Sequence, residues 1–134
     1  MNNMLLNELK FYKPGSIADA VELFQSLKSV KVLAGGTFIV NSLKALKRKG
    51  LKTPENLISL KGIDALKGIE IEKDRLVIKS MTTLSEIMDS KELDQGMFAV
   101  LQEGAATIAT APIRNMATLG GNLTCRYTWT EMPA

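Results

Sequence analysis

Two short glycine-containing stretches hold most of the chemistry that this 134-residue chain can offer. The first, Val32-Leu33-Ala34-Gly35-Gly36-Thr37, leads from an apolar run straight into an amphipathic one that opens with Phe38 and Ile39. Glycines let backbone N–H groups approach a ligand with no Cβ in the way. Thr37 adds a hydroxyl, and a helix starting there presents unsatisfied donors and a partial positive charge. That combination suits a phosphate or pyrophosphate. The second stretch, Thr118-Leu119-Gly120-Gly121-Asn122, repeats the ingredients with a side-chain amide added. A glycine pair also marks an ordinary tight turn. Neither stretch fits the dinucleotide fingerprint G-x-G-x-x-G or the P-loop pattern G-x-x-x-x-G-K-[ST], so neither of those chemistries follows.

Composition narrows the field further. The chain has no histidine and one cysteine, Cys125. Ser-His-Asp and Cys-His relays and histidine metal sites are therefore excluded within it. So are an internal disulfide, and an iron–sulfur cluster or structural zinc held by this chain alone. No catalytic side chain and no metal ligand is expected. Any redox chemistry falls to an organic cofactor or another subunit. Through Lys52 there are nine basic and three acidic residues, and from Thr53 onward eight and eleven. Lys44, Lys47, Arg48, Lys49 and Lys52 make up most of the early excess. Such a cluster can attract phosphate or nucleic acid, but it lacks interleaved aromatics for stacking. It is read instead as a solvated helix end, where cations favour the negative pole of the macrodipole. The apolar runs are too short to span a bilayer. The first residues lack the basic start and apolar core of a secretion signal, which makes the cytoplasm the expected location.

The elements that must position the two stretches follow from periodicity. Glu8 to Lys13 reads as a strand stopped by Pro14-Gly15. Ser16 is an N-cap before Ile17, Ala20, Val21, Phe24 and Leu27 at helical spacing, with Asp19 close to a capping box. Lys31 to Leu33 is a second strand. Phe38 to Lys49 carries Ile39, Val40, Leu43 and Leu46 on one stripe and ends at Gly50. This is a β-α-β-α lobe over residues 1–53, its strands far enough apart in sequence to be parallel. A second lobe over 54–134 begins at Pro54, with a strand at Leu57 to Leu60 and a hairpin around Lys73-Asp74. Thr83 caps a short helix, with Glu86 at its third position. Phe98 to Ile108 reads as a buried helix ending before Pro112, and Ile113 to Leu119 as extended. The chain ends soon after the second glycine pair, which points to a piece of a larger domain.

Five ordered segments resemble the amino-terminal part of the FAD-binding (medium) subunit of molybdenum hydroxylases, the family of carbon-monoxide and xanthine dehydrogenases. They are FYKPGSIADAVELF, KVLAGGT, PENLISLKGIDALKGIE, MTTLSEIMDS and IRNMATLGGNL. The resemblance implies an α+β fold, a two-lobed FAD-binding domain with a small βαβα lobe and an incomplete larger one. It implies FAD lined by Val32, Leu33, Ala34, Gly35, Gly36, Thr37, Phe38 and Ile39. The amides of that stretch would meet the pyrophosphate, and Thr118, Leu119, Gly120, Gly121 and Asn122 would grip it from the other lobe. Glu131 stands where the family has an acidic residue near the flavin nucleotide. Arg114 and Asn115 are read as structural, bracing the second stretch.

The family's activity is electron transfer, in which flavin passes electrons from a [2Fe–2S] small subunit to NAD or another acceptor. A molybdenum-cofactor large subunit oxidises the substrate. The alternative is a cofactor-free fragment or assembly module. Departures from the family pattern are Phe38, where a polar residue is frequent, Thr110-Ala111-Pro112 before Ile113-Arg114-Asn115, and Arg126, Tyr127 and Trp129 after the second glycine pair.

Overall fold

The computed structural model describes residues 8–125 apart from Asp74 and Gln95. Two compact units divide at Ala65 and Leu66. Among the described residues no helix is long and apolar enough to cross a membrane.

The first unit is built on three strands, β1 (Lys10–Tyr12), β2 (Val30–Leu33) and β3 (Asn56–Ser59). Their order is β1-β3-β2, with both flanking strands parallel to β3. Tyr12 and Val32 both lie in register with Ile58. Every residue of β3 is buried, as expected of a central parallel strand covered on both faces. The unit therefore runs past Thr53 to Ala65. A boundary at 53, placed by charge and Pro54, separates β3 from the two strands it joins.

Helix α1 (Ile17–Ser26) starts where the Ser16 Oγ accepts the amide of Asp19 at 3.1 Å. Of its apolar stripe only Ala20 is buried, while Ile17, Val21 and Phe24 stay about half exposed. Helix α2 (Ile39–Arg48) buries Leu43 and carries Lys47 and Arg48 in its last turn, on the side of the negative pole. Gly50 N–H donates to Lys47 O and Leu51 N–H to Leu46 O, the paired bonds of a Schellman ending.

The second unit opens with an antiparallel hairpin, β4 (Ile69–Glu72) and β5 (Arg75–Ile78), turning at Lys73 as the sequence predicts. Helix α3 (Leu84–Met88) has a complete capping box between Thr83 and Glu86. Leu84, Ile87, Leu93, Ala105, Ile108 and Ala117 form the core. Helix α4 (Ala99–Thr107) contributes only Ala105 among its buried residues, so it is less enclosed than its alanine-rich sequence predicts.

The larger difference lies beyond α4. Residues 113–119 do not form one extended run: α5 (Ala111–Arg114) and α6 (Leu119–Cys125) are helical, and between them Thr118 makes an isolated β-bridge. Pro112 falls in the first turn of α5, where a missing N–H costs nothing and the fixed φ suits a helix.

Candidate functional site

The first stretch leaves the end of β2, crosses Ala34 to Phe38 and enters α2. Ala34 to Ile39 are all half-buried. Gly36 has φ +82, a left-handed conformation that residues with a Cβ rarely adopt. It turns the chain between strand and helix. Among the described residues no acceptor takes the N–H groups of Ala34, Gly35, Gly36 or Thr37. No side chain caps α2 either. A row of four uncommitted amides therefore precedes a helix N-terminus, which is the arrangement an anion needs.

The second stretch is different. Thr118, almost fully buried, precedes α6, and its Oγ1 accepts the amide of Gly121 at 3.2 Å. Its carbonyl takes Asn122 N–H at 2.9 Å. The Leu119 amide donates to Thr82 O and the Gly120 amide to Ser80 O, both at 2.9 Å. All four amides from Leu119 to Asn122 are thus occupied inside the unit. They form no second open cradle: the Leu119 and Gly120 amides hold α6 against Thr82 and Ser80, and those of Gly121 and Asn122 turn back to Thr118. Asn122 Oδ1 is buried and has no partner among the described residues, which leaves it open to a ligand. Glu131, with Arg126, Tyr127 and Trp129, lies outside the described residues.

The Thr-Thr-Leu segment is the anchor. Thr82, 1% exposed, donates its hydroxyl to Gly68 O at 2.9 Å and accepts Gly68 N–H at 3.1 Å. Thr83 forms a β-bridge with Thr118, and Leu84 N–H donates to Ala117 O at 2.9 Å. The sequence signal was the presence of both segments. Their mutual pairing, and the part played by Ser80, had no signal because the partners are far apart in the chain. Arg114 and Asn115 are structural as expected: Asn115 Oδ1 accepts the Ser85 hydroxyl at 2.6 Å, and Arg114 clamps three carbonyls.

Residues 7–134 match the family described as the FAD binding domain in molybdopterin dehydrogenase. The chain belongs to that family. It is 36% identical over 132 residues to the carbon monoxide dehydrogenase medium chain of Afipia carboxidovorans, covering 98% of this chain and 44% of that one. It is 29% identical over 114 residues to the xanthine dehydrogenase FAD-binding subunit of Escherichia coli O157:H7, covering 84% and 37%. Reconstituted CO dehydrogenase from Oligotropha carboxidovorans superposes with a TM-score of 0.83 at 35% identity, over 96% of this chain and 44% of that one.

The chain thus spans less than half the length of these relatives, and its α+β fold is that of the amino-terminal part of their FAD domain. FAD is the cofactor of the family. The residues in place fit it: the amides of Ala34 to Thr37 suit an anionic diphosphate, and the orphaned Asn122 Oδ1 suits a hydroxyl or N–H donor. Burial pushes the Cys125 thiol pKa up, which disfavours the reactive thiolate.

Proposed function

We propose that this chain is the FAD-holding portion of the medium subunit of a molybdenum hydroxylase. Electrons reach its flavin from a [2Fe–2S] small subunit and leave to NAD or another acceptor, while a molybdenum-cofactor large subunit oxidises the substrate. The enzyme would work in the cytoplasm.

The uncommitted amide row at Ala34 to Thr37 is the observation that carries this assignment. Four adjacent donors with no acceptor among the described residues, set at the entrance to a helix, offer an anion its partners. In the proposed site Ala34, Gly35, Gly36 and Thr37 donate to the diphosphate oxygens, and Val32, Leu33, Phe38 and Ile39 flank them. The Thr37 hydroxyl is a further donor. In the second unit Asn122 Oδ1 accepts from a hydroxyl or N–H of the cofactor. Thr118, Leu119, Gly120 and Gly121 hold Asn122 in place through the bonds described above. Glu131 is proposed to lie by the nucleotide.

When bound, FAD supplies the two-electron chemistry, accepting and releasing electrons at its ring. The chain's own residues bind and orient it, and none acts as a general acid or base. Flavin content of the purified full-length protein tests the assignment. Protein with about one FAD per chain and flavin absorption supports it, and colourless protein that takes up no added FAD rejects it.

A further inference from the structure

We propose that Arg114 is a positioning residue for cofactor binding: it clamps the α4–α5 turn in a left-handed conformation at Ala109 and so sets where Asn122 is presented. This rests on Asn122 being a cofactor contact. Arg114 Nη1 lies 2.9 Å from Ile108 O, 3.1 Å from Ala109 O and 3.4 Å from Ala106 O. These carbonyls close α4, where the last turn of any helix leaves acceptors without intrahelical donors. Ala109 has φ +46. A residue with a Cβ persists there only where its surroundings impose the conformation. Ala109 and Thr110 are both exposed, so packing of their own side chains does not impose it, although buried Ile108 fixes the chain just before them. The guanidinium is the group in position to do so.

The same residue secures the far side of the turn. Arg114 N–H donates to Thr110 O at 2.9 Å. The constraint then passes along bonded neighbours. Ala117 N–H donates to Ile113 O at 2.8 Å, Ala117 O receives Leu84 N–H, and Thr118 caps the helix that carries Asn122. Arg114 Nε is buried with no acceptor among the described residues. A direct contact from Nε to the ligand is therefore the competing role, and the experiment must separate the two.

In the full-length protein, R114M, A109G and R114M/A109G are compared for FAD affinity by flavin fluorescence quenching, with thermal unfolding of each apoprotein as a control. R114M is expected to weaken FAD binding about tenfold. A109G, which adopts the left-handed conformation freely, is expected to restore most of that loss in the R114M background and to change little alone. Equal weakness of R114M and R114M/A109G overturns the clamp in favour of direct contact, and unchanged affinity in R114M overturns it outright. Should R114M not fold, R114K with and without A109G reads the same rescue, because an ammonium lacks the planar fork. Wild-type protein that takes up no FAD removes the cofactor assignment itself. Unrescued loss confined to Arg114 variants removes only the clamp.

Discussion

The amide of Gly120 donates to the carbonyl of Ser80 at 2.9 Å, and a Cβ placed on Gly120 would lie 2.8 Å from that same oxygen. The glycine at this position lets a helix sit directly on a neighbouring backbone. It follows that Gly120→Ala must push α6 away from Ser80. The expected cost is about 1–3 kcal/mol, typical of overpacking against atoms that cannot yield. Urea unfolding of the full-length apoprotein measures it, and a cost near zero would show that α6 docks more loosely.

Thr118→Ala removes the side-chain acceptor for Gly121 N–H from a buried site. A loss of about 1 kcal/mol, up to 2, is expected for this cap. Thr118→Ser keeps the oxygen and should retain most of the stability. Comparison of the two by thermal unfolding isolates the hydroxyl from the methyl group.

Thr82→Val replaces a buried hydroxyl that both donates to and accepts from Gly68. The Gly68 groups lose their side-chain partner, and a destabilisation of about 1–3 kcal/mol is expected. Amide hydrogen exchange at Gly68 should accelerate with it. Unchanged exchange would show that the hydroxyl does not protect that amide.

Gly35→Val sets a branched side chain among the open amides of the first stretch. FAD affinity is expected to fall tenfold or more, on the order of 1.4 kcal/mol, while far-ultraviolet circular dichroism stays as in the wild type. Affinity equal to the wild type would remove Ala34 to Thr37 from the site. Gly36→Ala is a different probe, since φ +82 strains any L residue and its Cβ would lie 3.4 Å from Leu33 Cδ1. It should lose both stability and affinity.

Cys125 supplies a pH test. Burial raises its pKa in the folded state, so the folded protein holds the thiol proton more tightly than the unfolded chain. That contribution to stability is complete below the unfolded thiol's pKa and is lost as pH rises through the folded one. The urea midpoint should therefore fall more steeply with alkaline pH than in Cys125→Ser. Alkylation at pH 8 should also be slower folded than in urea. Equal pH slopes in the two proteins would show that the thiol is solvated.

Local rules carry the reading of the helix ends in both lobes a long way. The Ser16 cap, the stripe that buries Leu43, the stop at Gly50 and the Thr83–Glu86 box all depend on neighbours within a few residues. The failures are non-local. The lobe boundary went to Pro54 because nothing near β3 says that Ile58 pairs with both Tyr12 and Val32. Residues 113–119 read as extended because the β-branched Ile113 and Thr118 have weak helix propensity. Thr118, Pro112 and the contact with Ser80 overrule that propensity. Both glycine pairs look alike for the same reason: only tertiary partners distinguish Gly35, whose amide has no acceptor among the described residues, from Gly120, whose amide is taken by Ser80.

The strand order has one more consequence, for how the polypeptide acquires its shape. Among the described residues β1 and β2 share no ladder, and each bonds to β3 alone. During synthesis both must wait, as unmated edges, until Asn56 to Ser59 leave the ribosome. Assembly of the sheet is then a single late event, and a chain cut at Thr53 would emerge with two helices and nothing to lean them on.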